Sequence, residues 1–116
     1  MYPATTLTHN EAIVRRLFAE FHNGGDDRVI DEVLTGQALR QQMKQAAACL
    51  RRRTAKSHFA IDDLIVAGDK VITRWTAQVW INNRPTRANG LFIYRIRNGK
   101  VVGIWQHWDA LDEIMH

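Results

Sequence analysis

Two titratable side chains, His107 and Asp109, stand two residues apart in the run Val101-Val102-Gly103-Ile104-Trp105-Gln106-His107-Trp108-Asp109. On an extended strand that spacing sets both on one face. A carboxylate held against aromatic walls loses hydration, which raises its pKa, while a neighbouring imidazolium lowers it again. With its proton off, Asp109 can act as a general base beside a carbonyl, and His107 can donate to or orient the developing enolate. A plainer use also fits: Asp109 caps a helix beginning at Ala110, and His107 is a satisfied wall residue. Spacing leaves both open.

Other chemistries lack the residues they need. Cys49 is the lone cysteine, set in a helical stretch with no adjacent histidine, so it reads as a packed thiol rather than a nucleophile. His58, His107, Asp62 and Asp69 show no zinc-ligand spacing, so no metal is expected. The chain carries neither a glycine-rich phosphate loop nor a Gly-x-Ser-x-Gly elbow, which leaves nucleotide and serine-hydrolase chemistry unsupported. A net charge of +4 invites a nucleic-acid reading. Acidic residues are interspersed throughout, however, and Arg51-Arg52-Arg53 is the one basic run, where a solvated helix C-terminus favours such residues by itself. Nucleic acid is therefore not expected as a partner. No apolar stretch approaches the roughly 20 residues of a membrane helix, and one unpaired cysteine fits a reduced setting, so a soluble cytoplasmic protein is expected.

The elements that position these residues divide the chain in two. At 116 residues, one domain spanning 1–116 is expected. Thr8 and Glu11 have capping-box spacing, and Ile13, Val14, Leu17, Phe18 and Phe21 follow at helical intervals. Asn23-Gly24-Gly25 breaks that helix, Val29, Ile30, Val33 and Leu34 form the apolar side of a second, and Gln37 to Arg53 reads as a third with Leu39, Met43, Ala46, Ala47 and Leu50 on one stripe. From about Ser57 the character changes to four strands, near 58–66, 71–81, 86–97 and 101–109, joined at 67–70, 82–85 and Asn98-Gly99. Asn-Gly is a strong signal for a type I′ hairpin. The fold class is α+β, and a last helical turn over 110–115 is expected to close the mouth.

If Asn98-Gly99 is the two-residue loop, Tyr94 pairs with Gly103, Phe92 with Trp105, Gly90 with His107 and Ala88 with Asp109. That face carries the candidate wall Phe92, Tyr94 and Trp105 with both titratable groups. The other face holds Leu91, Ile93, Val102, Ile104 and Trp108, and is also apolar. A second apolar face calls for a partner, and another copy of the same sheet is the simplest. A homodimer through the outer sheet face is expected; the alternative is that the helices wrap both faces.

The run Phe59 to Thr76, with Gly68-Asp69-Lys70-Val71 and Arg74-Trp75-Thr76, followed by Gly99-Lys100-Val101-Val102-Gly103-Ile104-Trp105 and Asp109, resembles the SnoaL-like polyketide cyclase family within the nuclear transport factor 2-like superfamily. The resemblance implies a cone-shaped curved antiparallel sheet with N-terminal helices packed on its concave face, a cystatin-like roll. It also implies an apolar pocket, a dimer, and no metal or organic cofactor. In the cyclase members the Asp matching Asp109 serves as acid/base in aldol ring closure on a hydrophobic polycyclic substrate; other relatives isomerise steroids, dehydrate or open epoxides. Here the wall would be Trp75, Phe92, Tyr94 and Trp105, with His107 assisting Asp109. Two departures stand out. Cyclases commonly carry Gly-Thr-His in the middle strand where this chain has Val79, Trp80 and Ile81, and a first strand between the second and third helices is missing at Leu34-Thr35-Gly36. The functional expectation is a cofactor-independent cyclase or isomerase acting on a small hydrophobic molecule, the alternative a non-catalytic ligand-binding or dimerisation module.

Overall fold

A computed structural model describes residues 2–54 and 56–109. Three N-terminal helices, α1 (Ala4–Arg16), α2 (Arg28–Val33) and α3 (Gln37–Arg53), precede strands β1 (Ser57–Ala67), β2 (Lys70–Ile81), β3 (Arg84–Arg97) and β4 (Lys100–Asp109). The strands form one antiparallel sheet in sequence order, so every connection is a hairpin. Alternation drives the layering. Val71, Thr73, Trp75, Ala77 and Val79 of β2 are buried at every second position, and Ala88, Phe92, Tyr94 and Ile96 of β3 continue that face. Against it pack Val14, Leu17, Phe18 and Phe21, with Val29, Ile30 and Leu34 behind them. These apolar groups are removed from water on the concave side, the dominant favourable contribution to the fold.

Helix α1 starts five residues earlier than the capping-box spacing suggests. Pro3 is its N-cap residue, its carbonyl accepting from the Leu7 amide at 3.1 Å. Glu11 instead lies mid-helix, where its carboxylate accepts from Arg15 at 2.9 Å. Beyond Arg16 the helix widens into a π-helical turn over Leu17–His22, closed by the Asn23 amide donating to the Phe18 carbonyl at 2.9 Å. Such turns insert a residue into the helical ladder and re-aim the side chains after it. Here Leu17, Phe18 and Phe21 are all buried toward the sheet. Asn23 then fixes the end of the turn to β1: its amide donates to the Phe59 carbonyl at 2.9 Å, and its oxygen accepts from the Phe59 amide at 2.7 Å.

The missing first strand is reduced to one bridge, in which Leu34 lies parallel to Val101 and the Thr35 amide donates to the Val101 carbonyl at 2.9 Å. The second hairpin is tighter than expected: Asn82 and Asn83 both take positive φ in a two-residue turn, and β3 begins at Arg84. Asn98 and Gly99 form the expected turn, with φ of 52° and 74°. The expected helical turn over 110–115 lies outside the described residues.

Two β-bulges decide which side chains face the core. In β1 the register shifts between Ile61 and Asp63, leaving Asp62 as the extra residue. Asp63 pairs with Arg74 along the backbone, yet the carboxylate near Arg74 is that of Asp62, at 3.7 Å. In β4 the shift falls between Val101 and Gly103, with Val102 as the extra residue. Every β4 residue beyond it changes face relative to a regular hairpin, because side chains alternate with a period of two.

Candidate functional site

The β4 bulge corrects the expected pairing. Tyr94 lies opposite Ile104, Phe92 opposite Gln106 and Gly90 opposite Trp108, while Trp105, His107 and Asp109 pair with Ile93, Leu91 and Asn89. Trp108 and Gln106 therefore take the concave side, and Trp105, His107 and Asp109 the convex side. Trp105 is 51% exposed. His107 Nε2 and Asp109 Oδ1 lie 3.4 Å apart, with side chains 73% and 68% exposed, so water solvates a pair that the regular register would bury. The expected aromatic-walled pocket around this pair is not where the chain places it.

On the concave side, the C-terminal half of α3 and the π-helical turn leave a cavity against β1, β3 and β4. Its buried lining is apolar: Phe21, Met43, Leu50, Phe59 and Phe92. Ala46, Arg51 and Gln106 are exposed and form the rim, with Ser57 and Trp108 half-buried. About 50 Å³ is open to the centres of water-sized molecules, which is room for a few waters or one small ring.

The wall is an aromatic cluster that β2, β3 and β4 build together. Phe92 lies 5.0 Å from Trp75 and 6.0 Å from Trp108, and the Trp75 and Trp108 rings meet edge to face at 4.7 Å. Edge-to-face packing aligns the positive rim of one ring with the negative face of the other. Gly90 makes that arrangement possible. A Cβ there would stand 2.2 Å from the His107 carbonyl oxygen and 2.7 Å from Trp75 Cζ2, so only a hydrogen fits where the tryptophan passes beneath β3.

Of the expected wall residues, Trp75, Phe92 and Tyr94 are on this side and fully buried. Phe92 touches the cavity directly, Trp75 backs it, and Tyr94 packs edge-on behind Phe92 at 6.0 Å. Trp108 holds the place expected of Trp105.

One titratable group borders the cavity floor, and it is His22, the last residue of the π-helical turn. Its ring stacks on Phe92 at 5.6 Å and lies 5.1 Å from each of Phe18, Phe21 and Phe59. Nε2 is buried with no hydrogen-bond partner among the described residues. Burial among these rings lowers its pKa to about 4, with the nearby Arg51 charge pushing the same way. The imidazole is therefore neutral at neutral pH, and a neutral imidazole has one donor and one acceptor to offer. Trp75 Nε1 and the Tyr94 hydroxyl are likewise buried without partners among the described residues, and burial pushes the Tyr94 phenol well up. At the rim, the Arg51 guanidinium lies 5.6 Å over the Phe21 ring and reaches Asp27 Oδ1 at 3.3 Å. Arg51 thus lines the cavity instead of standing free at a helix end.

His22 and Trp108 are the functional candidates that pattern reading misses. A regular helix gives no reason to turn Phe21 and its neighbour His22 both toward the sheet; the π turn does. Trp108 is hidden by the bulge, whose one sequence trace is the apolar pair Val101-Val102 ahead of Gly103. Among the described residues, no three His, Cys, Asp or Glu side chains converge as a metal site, and no helix is long and apolar enough to cross a membrane.

Comparison with known proteins places this geometry among relatives. The profile of the SnoaL-like polyketide cyclase family matches residues 7–114. Among solved structures, a candidate SnoaL-like polyketide cyclase from Jannaschia sp. CCS1 superposes with a TM-score of 0.83 at 17% identity, over 99% of this chain and 97% of that one. A candidate polyketide cyclase from Bacillus cereus gives 0.81 at 22% identity, over 93% and 80%. Wild-type IdmH, a candidate polyketide cyclase from Streptomyces antibioticus, gives 0.78 at 19% identity, over 91% and 94%. No curated protein matches the sequence.

Proposed function

We propose, from the premise that this chain belongs to the SnoaL-like polyketide cyclase family, that it binds a small apolar carbonyl compound in the concave cavity and acts there as a cofactor-independent cyclase- or isomerase-type enzyme. The observation that carries this reading is His22: a neutral imidazole on an aromatic floor, its Nε2 buried and unpartnered among the described residues. A buried polar atom without a partner costs the fold about 1–3 kcal/mol, and a ligand oxygen at that atom removes the cost. In the Nε2–H tautomer the imidazole donates to a carbonyl oxygen and so acidifies the neighbouring C–H, whose proton passes to water at the cavity rim while the enolate oxygen stays on Nε2–H. Being neutral, it adds no charge of its own among the aromatic rings in the resting protein.

A second reading keeps Asp109 as general acid/base with His107 assisting, on the convex face. Their 3.4 Å approach favours it, as does the shallow concavity they share with Arg74, Gly90 and Leu91. A homodimer through this face, which the exposed Ile65, Leu91 and Trp105 support, would withdraw the pair from water. Turnover of aromatic and alicyclic ketones by the His22→Phe and Asp109→Asn variants separates the readings. The concave site predicts loss of turnover in His22→Phe alone; loss in Asp109→Asn alone transfers the chemistry to the convex face. Ligand binding weakened in His22→Phe with no turnover in any form of the protein identifies a binding module.

A further inference from the structure

The cavity is charged at one end only, and this bears on what enters it. Resting on the concave-site reading, we infer that its occupant is a small amphiphile, a single ring or branched alkyl body carrying an anionic head such as a carboxylate, with the body against Phe59, Phe92 and Trp108 and the head at the rim beside Arg51 and Gln106.

Three observations converge on this class. First, the space is small: about 50 Å³ open to water-sized centres suits one ring as the fully enclosed part of a ligand. Second, charge is one-sided. Of the residues lining the cavity among those described, Arg51 is the one ionised at neutral pH, because His22 is held neutral. Arg51 also acts on the interior, since its positive charge contributes to the lowered His22 pKa. An anion at the rim would compensate that field. Third, the guanidinium is placed but weakly engaged. Its centre lies 5.6 Å over the Phe21 ring, whereas its acidic partner among the described residues, Asp27, sits at 3.3 Å with half its side chain in water. Such a half-exposed ion pair is weak and exchanges readily for a better-aligned carboxylate, which a guanidinium receives through two parallel N–H donors. Gln106 and Ser57 add uncharged polar groups at the same rim. A ligand entering body first meets a largely apolar lining until it reaches His22.

The test compares 3-phenylpropionate with 3-phenylpropionamide, matched in body and different in head charge. Binding is followed through the His22 imidazole and Trp108 indole resonances at neutral pH. The acid is expected to bind roughly three- to tenfold more tightly than the amide, the range of a partly exposed but well-oriented ion pair. Arg51→Met should erase that preference by weakening the acid far more than the amide, Arg51→Lys should retain part of it, and thermal melts of both variants confirm that they fold. Equal affinities in the wild-type protein, or a preference that survives in Arg51→Met, overturns the anionic head and leaves the apolar cavity standing. If neither ligand moves the His22 or Trp108 signals at millimolar concentration, the concave-site reading fails, and the anionic-head inference with it.

Discussion

The concave and convex faces of the sheet are drawn from the same four strands and share residue types, yet they treat those residues in opposite ways. On the concave side Trp75 is fully buried and edge-packed on Trp108; on the convex side Trp105 is 51% exposed. The histidines differ as sharply. His22 is held neutral among four phenylalanines, while His107 lies in water beside Asp109. Residue type does not decide reactivity here. Desolvation does, because it gives the concave imidazole an unmet hydrogen bond, whereas water already satisfies the convex pair.

The largest contrast should come from the two tryptophans. Trp75→Ala is expected to cost about 3–5 kcal/mol by urea titration, and Trp105→Ala less than about 1 kcal/mol at low protein concentration. A Trp105→Ala loss that grows with protein concentration would show the convex face covered by a second copy. Comparable losses at low concentration would collapse the distinction between the faces.

Next in size is the response to acid. His22 has a folded pKa of about 4, below its unfolded value, so between about pH 6.5 and 4 the unfolded chain binds a proton that the native chain refuses. Stability contributed by the neutral ring is therefore fully present above pH 6.5 and falls as the pH drops through that window, by an amount on the order of 2–3 kcal/mol. His22→Phe should remove this component of the slope, isolated as the difference between urea midpoints of the two proteins at pH 7 and pH 4.5. The same slope in both proteins would place the imidazole in water.

A smaller effect is expected at the support of that histidine. Asn23→Ala removes the paired hydrogen bonds to the Phe59 backbone and should cost about 2 kcal/mol, with weaker binding of any cavity ligand because the π turn loses its anchor. Smallest of all, Asp109→Asn should leave the unfolding free energy within about 0.5 kcal/mol of the parent, as for other exposed substitutions. A loss of about 2 kcal/mol or more would mean that the carboxylate has a structural partner.

Sequence reading recovered the elements whose causes are local. The Asn98-Gly99 turn, the strand alternation of β2, the apolar stripe of α3 and the break at Asn23-Gly24-Gly25 all follow from neighbouring residues, and each is present. The family and the curved sheet were legible for the same reason. What escaped depends on a choice between nearly equal local alternatives that distant packing settles. Thr8 and Glu11 satisfy a capping box, yet Pro3 begins the helix because residues before Thr8 can also wind into it. A strand of β4's composition can run straight or bulge at Val102. It bulges where Val101 is fully buried and bridged to Leu34, and where Trp108 then completes the ring cluster beneath Gly90. His22 was missed because a π turn leaves no residue signature, whereas Phe92, Trp75 and Tyr94 were found because their burial follows the period of the strand.

The bulge at Val102 also makes the site a matter of parity. Downstream of it, odd-numbered β4 residues look outward and even-numbered ones inward, and a single codon sets that assignment. Removing one residue between Val101 and Gly103 would exchange the two sets together, carrying Trp105, His107 and Asp109 to the aromatic side and sending Gln106 and Trp108 to the surface. A sheet of this kind can thus trade one complete set of chemical groups for another by a single-residue length change, without any substitution among the groups themselves.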